Sequence, residues 1–347
     1  MEYRQLGNTD LKVSLICLGS MTWGEQNTQE EGFAQMDYAL DQGVNFFDVA
    51  EMYPVPPKAE TAGATETIMG NWLKDRGARD KVIVATKVTG RSGNNSGMEH
   101  IRGGPRLNRE HIMAAVEGSL KRLRTDYIDL YQVHWPERQA NFFGQLGYTS
   151  SEDDGVAIEE TLSLMDELVQ SGKVRHIGIS NETPWGMLEY LRCADKHQQA
   201  RIVSIQNPYS LLNRTFEVGA AEISVRENIS MLAYSPLAFG KLSGKYLDGQ
   251  RPAKARLTLY SRFTRYNKVN ADEAVRAYVK LAQAHNLDPA QMALAFVNQR
   301  SFMTSNIIGA TTMDQLKANI ASADLRLSED VLQGIEEIHA RYPNPSP

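Results

Sequence analysis

The strongest constraint on this chain is an alternation. Eight short apolar runs, rich in β-branched residues, are separated by longer stretches of helical period. The runs are 15–18, 45–49, 82–86, 127–133, 174–179, 202–205, 231–234 and 306–308. Between them, Ile112, Val116, Leu120 and Leu123 share one helical stripe, as do Leu162, Met165 and Val169, and Leu316, Ile320 and Ala323. Asn108 and Ser328 stand where helix caps are expected, and Ser328 opens a final helix with Val331, Ile335 and Ile338 on one side. Eight strands, each followed by a helix, predict an α/β fold of the (β/α)8 type, a closed parallel TIM barrel with helices outside. An open doubly wound sheet is the rival. A dinucleotide-binding sheet of that kind carries Gly-x-Gly-x-x-Gly after its first strand, and Gly19-Ser20-Met21-Thr22-Trp23-Gly24 lacks that spacing.

One barrel needs roughly 250 residues. We expect all 347 residues to form a single domain, with the excess in five places. Residues 1–13 read as an N-terminal hairpin through Gly7-Asn8-Thr9, placed to plug the barrel bottom. Residues 327–347 read as an extra C-terminal helix and a tail, with Pro343-Asn344-Pro345-Ser346-Pro347 frayed. Long connections at 89–107 (centred on Asn94-Asn95), 136–157 and 239–268 follow strands three, four and seven of the barrel. All three would lie on the C-terminal face, where barrel enzymes keep their active sites.

Composition narrows the class. With 42% hydrophobic and 23% charged residues the chain is an ordinary globular one. Its two cysteines, Cys17 and Cys193, make neither a disulfide scaffold nor a cysteine metal cluster. No apolar run approaches the ~20 residues of a membrane span. A net charge of −5 argues against nucleic acid as partner. The expectation is a cytoplasmic enzyme with no metal, no membrane and a small-molecule substrate; protein partners stay open.

The chemistry collects at strand ends. Asp48 interrupts the second run, Lys87 ends the third, and His134 follows the fourth, with Tyr53 just beyond the second. A charge in an apolar run is expensive unless paired. A free tyrosine has a pKa near ~10. A neighbouring ammonium is expected to lower it, which makes Tyr53 a candidate proton donor with Lys87 held by Asp48. His134 would relay the proton or hold the substrate oxygen. A purely structural Asp–Lys pair or histidine is the alternative at each position taken singly.

The opposite rim offers Ser180, Asn181 and Gln206, suited to a carboxamide, and Tyr234, suited to cover a flat ring such as nicotinamide. Residues 239–268 hold eight basic residues (among them Lys241, Lys245, Arg256 and Arg265) against one acid, Asp248. With Gly240, Gly244 and Gly249 interspersed, this loop suits a pyrophosphate or a 2′-phosphate, and a solvated basic loop is the bland alternative. Gly309-Ala310-Thr311-Thr312 opens a helix after the eighth strand, a second place for phosphate. Phe239 to Tyr246 is no Walker loop, and no zinc or nucleophile-elbow motif occurs.

Several motifs together resemble the aldo-keto reductase superfamily over nearly the whole chain. They are Gly43-Val44-Asn45-Phe46-Phe47-Asp48-Val49-Ala50-Glu51-Met52-Tyr53, the stretch from Leu120 through Asp129-Leu130 to His134, Gly172-Lys173-Val174-Arg175-His176-Ile177-Gly178-Ile179-Ser180-Asn181, and Gly309-Ala310-Thr311-Thr312 with Gln315 and Asn319. Within the superfamily the chain looks nearest to the bacterial Tas-type branch, beside the potassium-channel β-subunit-like branch. Tyr53-Pro54-Val55-Pro56-Pro57 and the segment from Gln206 to Arg214 carry that likeness. The resemblance implies a barrel that binds NADPH (or NADP+) without a Rossmann fold. It implies a tetrad of Asp48, Tyr53, Lys87 and His134, with Tyr53 as general acid. It also implies that Tyr234, Ser235, Pro236, Leu237, Ala238, Phe239, Gly240, Lys241, Leu242, Ser243 and Gly244 wrap the diphosphate, and that Gly309, Thr311, Gln315 and Asn319 meet the adenosine. Ile308 stands where many members have proline. Gly309 and Gln315 replace the Lys and Arg that the sugar-reducing branch sets on the 2′-phosphate; in the channel-subunit-like branch that charge comes from the loop after the seventh strand, a role the resemblance gives to Lys245 and Arg256.

The resulting expectation is reduction of an aldehyde or ketone to an alcohol, with Trp23, Met52, Trp135 and Phe142 as a substrate wall or, equally, as core or lid packing. A cofactor-binding regulatory module with little turnover is the alternative, which His134 disfavours because channel subunits lack that histidine. A Schiff-base enzyme using Lys87 is a second.

Overall fold

The computed structural model describes residues 1–93, 97–150, 152 and 154–347. Asn94 and Asn95, the expected centre of one long loop, lie outside these. A hairpin of β1 (Tyr3–Gln5) and β2 (Lys12–Ser14) precedes β3 (Ile16–Gly19), β4 (Phe46–Asp48), β5 (Ile83–Val88), β6 (Ile128–Val133), β7 (Val174–Ser180), β8 (Ile202–Pro208), β9 (Ser230–Tyr234) and β10 (Met303–Ile308). Strands β3 to β10 pair in parallel and in order, and β10 closes on β3. This is the (β/α)8 barrel expected from the eight runs. Parallel barrel strands are covered on both faces, so they read as unbroken apolar stretches.

Successive residues of a strand point to opposite faces. Phe47, Val84 and Tyr131 therefore belong to the large core between sheet and helices. Phe46, Ile83, Ala85, Leu130, Leu232 and Ile307 point into the barrel. Leu6, Leu11 and Val13 of the hairpin join that inner cluster and stop its lower end. The plug is tied in by polar contacts: Gly7 N donates to Ser230 Oγ (2.8 Å) and Ser305 Oγ donates to Ser14 O (2.7 Å).

The helix caps stand where the sequence puts them. Asn108 accepts from His111 N at the start of Arg109–Leu123, and Ser328 accepts from Val331 N at the start of Glu329–Arg341. The alternation errs in one place. Two full-length helices, Ala271–Ala284 and Pro289–Asn298, separate β9 from β10 after a single helical turn at Arg256–Leu259. The first is anchored to the basic segment by Lys241 on Asp272 (2.5 Å) and Arg276 on Asp248 (2.9 Å), and it packs against the C-terminal helix. The tail also departs from expectation. It is not helical, yet it is docked rather than frayed. Asn344 Oδ1 accepts from Arg214 N (2.6 Å), Ser346 N donates to Leu212 O (3.1 Å), and Ser346 is fully buried. Proline removes donors from such a segment, but Asn344 Oδ1 and Ser346 N find partners on the β8–helix connection.

Candidate active site

The period of two places the chemistry. Asp48 follows Phe46 on the inner face, Lys87 follows Ile83 and Ala85, Gln132 and His134 follow Leu130, and Gln206 closes the ring from β8. Lys87 is fully buried, with Nζ 2.6 Å from Asp48 Oδ2 and 2.8 Å from Val49 O. The other carboxylate oxygen of Asp48 accepts from Gln206 Nε2 (2.9 Å) and Gln132 Nε2 (3.4 Å). Gly178 makes this possible, because a Cβ there would collide with Ser204 Oγ and crowd Gln132 Cγ. Burial works to lower the Lys87 pKa, but Asp48 and Tyr53 outweigh it and leave the ammonium held above its ordinary value.

Lys87 Nζ lies 4.8 Å from the centre of the Tyr53 ring, and the His134 ring meets Tyr53 edge-on at 5.6 Å. The four residues expected to act together are thus one cluster. The expected lowering of the Tyr53 pKa does not occur. Burial raises it, and Lys87 offsets only part of that effect. Burial and the Lys87 charge push the His134 imidazolium well below its usual range. His134 Nδ1 is buried without a hydrogen-bond partner, which agrees with a neutral ring. At neutral pH the cluster is a charged Asp–Lys pair beside a protonated phenol and an uncharged imidazole. It can donate a proton from Tyr53 and tolerate the phenolate that remains.

On the far rim, Ser180 Oγ donates to Gln206 O (2.7 Å), Asn181 Nδ2 donates to His134 O (2.8 Å), and Asn181 Oδ1 accepts from Tyr234 OH (2.6 Å). The side chains suggested for a carboxamide and a ring face therefore form one network with the His134 strand. Gln206 already spends its amide N–H on Asp48, a contact set by barrel register and invisible in sequence spacing. Arg265, singled out only as one of eight basic residues, donates from Nη1 to Tyr234 OH (3.0 Å) and lies 5.3 Å from the Phe143 ring centre.

The basic segment runs from β9 across the mouth. Ser235, Ala238 and Phe239 all have positive φ, as do Gly240 and Gly244. Left-handed residues other than glycine are costly, at roughly 1–3 kcal/mol each, and cluster at binding sites. Lys241 is occupied by Asp272, but Lys245 and Arg256 make no ion pair among the described residues. Burial lowers the pKa of both, and their mutual repulsion lowers that of Lys245 further. A Cβ on Gly240 would lie 2.9 Å from Lys245 Nζ, so the end of that side chain packs closely over the glycine. Beyond β10, Thr311 N and Oγ1 meet Gln315 Oε1 (3.0 and 3.1 Å), Asn319 Nδ2 donates to Gly309 O (3.2 Å), and Thr312 caps the helix Met313–Ala321.

Of the four wall residues, three meet. Met52 and Trp135 form a small apolar cluster with Ile101, and Phe142 and Tyr53 pack against it. Trp23 does not belong. It is fully buried in the core between helices, with Nε1 on Gln35 Oε1 (2.8 Å). Ile101 was missed. Its signal was an apolar residue in a glycine-rich loop that otherwise had no reason to carry one. Among the described residues, no group of three His, Cys, Asp or Glu is placed to hold a metal, and no helix is long and apolar enough to cross a membrane.

A parallel barrel that gathers a buried Asp–Lys pair, a phenol and an imidazole at its C-terminal rim defines an oxidoreductase of the barrel class. The chain belongs to the Aldo/keto reductase family, whose profile matches residues 15–340. It is 55% identical to Protein tas of Escherichia coli over the whole of both chains. It is also 34% identical to the uncharacterized oxidoreductase YrpG of Bacillus subtilis, over 99% of this chain and 97% of that one. A putative aryl-alcohol dehydrogenase of Schizosaccharomyces pombe is 28% identical over 98% of this chain and 96% of its own length.

Proposed function

We propose that the protein reduces an aldehyde or ketone to the alcohol with NADPH, using Tyr53 as general acid. The observation that carries this reading is the Lys87 ammonium, fully buried between Asp48 and the Tyr53 ring. The residues present fit the cofactor. Lys245 and Arg256 are two half-buried cations without a counter-ion among the described residues, with Lys245 packed over Gly240. They suit a phosphate dianion, and the segment holding left-handed Ser235, Ala238, Phe239 and Gly240 suits a diphosphate. NADPH would supply the hydride.

The protein's own groups supply the rest. Tyr53 keeps its proton at neutral pH and gives it to the carbonyl oxygen. The Lys87 ammonium then stabilises the phenolate, and Asp48 keeps that ammonium charged and in place. Neutral His134 holds the oxygen without competing for the proton. Met52, Trp135, Ile101 and Phe142 keep water from the reacting carbon.

Purified protein is expected to oxidise NADPH in the presence of an activated aldehyde such as 4-nitrobenzaldehyde. Tyr53→Phe should lower kcat at least ~100-fold while leaving NADPH binding within about twofold of wild type. A variant with full kcat would remove Tyr53 as the proton donor.

A further inference from the structure

The turn that carries Tyr53 is stitched to the strand that carries Lys87. Glu51 N donates to Lys87 O (3.4 Å), and Glu51 Oε2 accepts from Thr89 N (3.1 Å). Glu51 is buried, and among the described residues its charge is met by one cation, Arg102, which reaches in from the 89–107 connection. Both terminal nitrogens of Arg102 engage the carboxylate, Nη2 at 3.0 Å from Oε2 and Nη1 on Oε1. Such a fork fixes direction as well as distance. The preceding residue, Ile101, is buried against Met52 and Trp135. Two consecutive loop residues therefore grip the two residues that precede Tyr53.

The loop is held in this position at some expense. Arg102 sits in the left-handed region at φ +51°, followed by Gly103 and Gly104 at positive φ. An arginine adopts that conformation only where its surroundings impose it, and strain of this kind tends to sit at functional sites. Its Nε is buried with no acceptor among the described residues. Glu51 is thus the contact that holds the side chain in place.

We propose that Arg102 is a positioning residue for proton donation. Its seat on Glu51, with Ile101 beneath Met52, holds the Tyr53 turn against the end of β5 and sets the spacing between the phenol and the Lys87 ammonium. This rests on the reading of Tyr53 as the acid. Arg102 touches none of the four central side chains, so it acts through the backbone of residues 51–53.

The test is a set of steady-state measurements of NADPH oxidation with 4-nitrobenzaldehyde. Arg102→Met is expected to lower kcat about tenfold or more, with NADPH dissociation constants within twofold of wild type. Arg102→Lys, which keeps the charge but loses the fork, should recover part of the rate. Glu51→Gln, close to isosteric, should reproduce the defect should Arg102→Met fold poorly. The discriminating variant is the double substitution. In a Tyr53→Phe background the Arg102→Met change should cost nothing further, because nothing remains to be positioned. The proposal is overturned by an Arg102→Met or Glu51→Gln enzyme with wild-type kcat, or by an equal loss in both backgrounds. Full activity in Tyr53→Phe alone would instead sink the acid assignment, and the two failures are thereby kept apart.

Discussion

Lys87 and Lys245 stand over the same barrel mouth and are built on opposite terms. Lys87 has every contact it needs within the chain: a carboxylate, a backbone carbonyl and an aromatic face. Its charge is held up against burial. Lys245 is only half-buried, faces Arg256 and no acid among the described residues, and has its pKa pushed down. The first environment is finished before any ligand arrives. The second has positive charge in excess and becomes favourable only when an anion enters. On the proposed function, catalytic groups and cofactor-binding groups are in this way separable by whether the chain itself supplies the counter-charge.

Three measurements press on that contrast. The largest effect should come from Lys87→Met. It strands Asp48 as an unpaired buried carboxylate, a loss of ~3–5 kcal/mol in denaturant unfolding, and it should abolish turnover. Lys245→Met should leave unfolding unchanged or slightly improved; an equal loss in both variants would erase the distinction. Next is the double variant Lys245→Ala with Arg256→Ala. Each charge-assisted contact is worth ~1.5–3 kcal/mol, so NADPH affinity should fall at least ~10-fold while NADH affinity barely moves. Equal weakening of both cofactors would take the 2′-phosphate from this pair. The smallest effect concerns pH. The folded pKa of His134 lies well below its ordinary 6.5, so on acidification the unfolded chain takes up the proton first. His134 therefore contributes a loss of stability that begins near about pH 6.5 and grows as pH falls toward the folded pKa. Melting curves between pH 7 and 5 should show a shallower decline for His134→Gln than for wild type. An unchanged slope would mean that the ring is not held neutral.

The sequence exposes the barrel because its strands are buried on both sides and so interrupt the helical period cleanly. It exposes Asp48 and Lys87 for a related reason: a charge inside such a strand has few structural excuses. Residues that depend on register or on loop path were hidden. Gln206 reaches Asp48 only because β8 faces β4 across the closed barrel. Arg102 is one of three arginines in a glycine-rich connection, and nothing in its neighbours points to Glu51. Trp23 reads like a rim aromatic because it follows the first strand closely, yet Gly24 and Gly32 let it fold back under the helices. The direction of the Tyr53 shift was also unreadable, since it depends on how much burial opposes one known cation.

The hairpin plug has a consequence in time rather than space. Ser14 meets Ser305 across 291 positions of chain, and Gly7 meets Ser230 across 223. At synthesis rates of about 5–20 residues per second, the interval between making the two halves of the longer contact is roughly 15–60 s. For that period Leu6, Leu11 and Val13 have no barrel to enter. The earliest part of the protein to leave the ribosome is thus among the last to find its place, and a nascent chain spends most of its production with its stopper in hand.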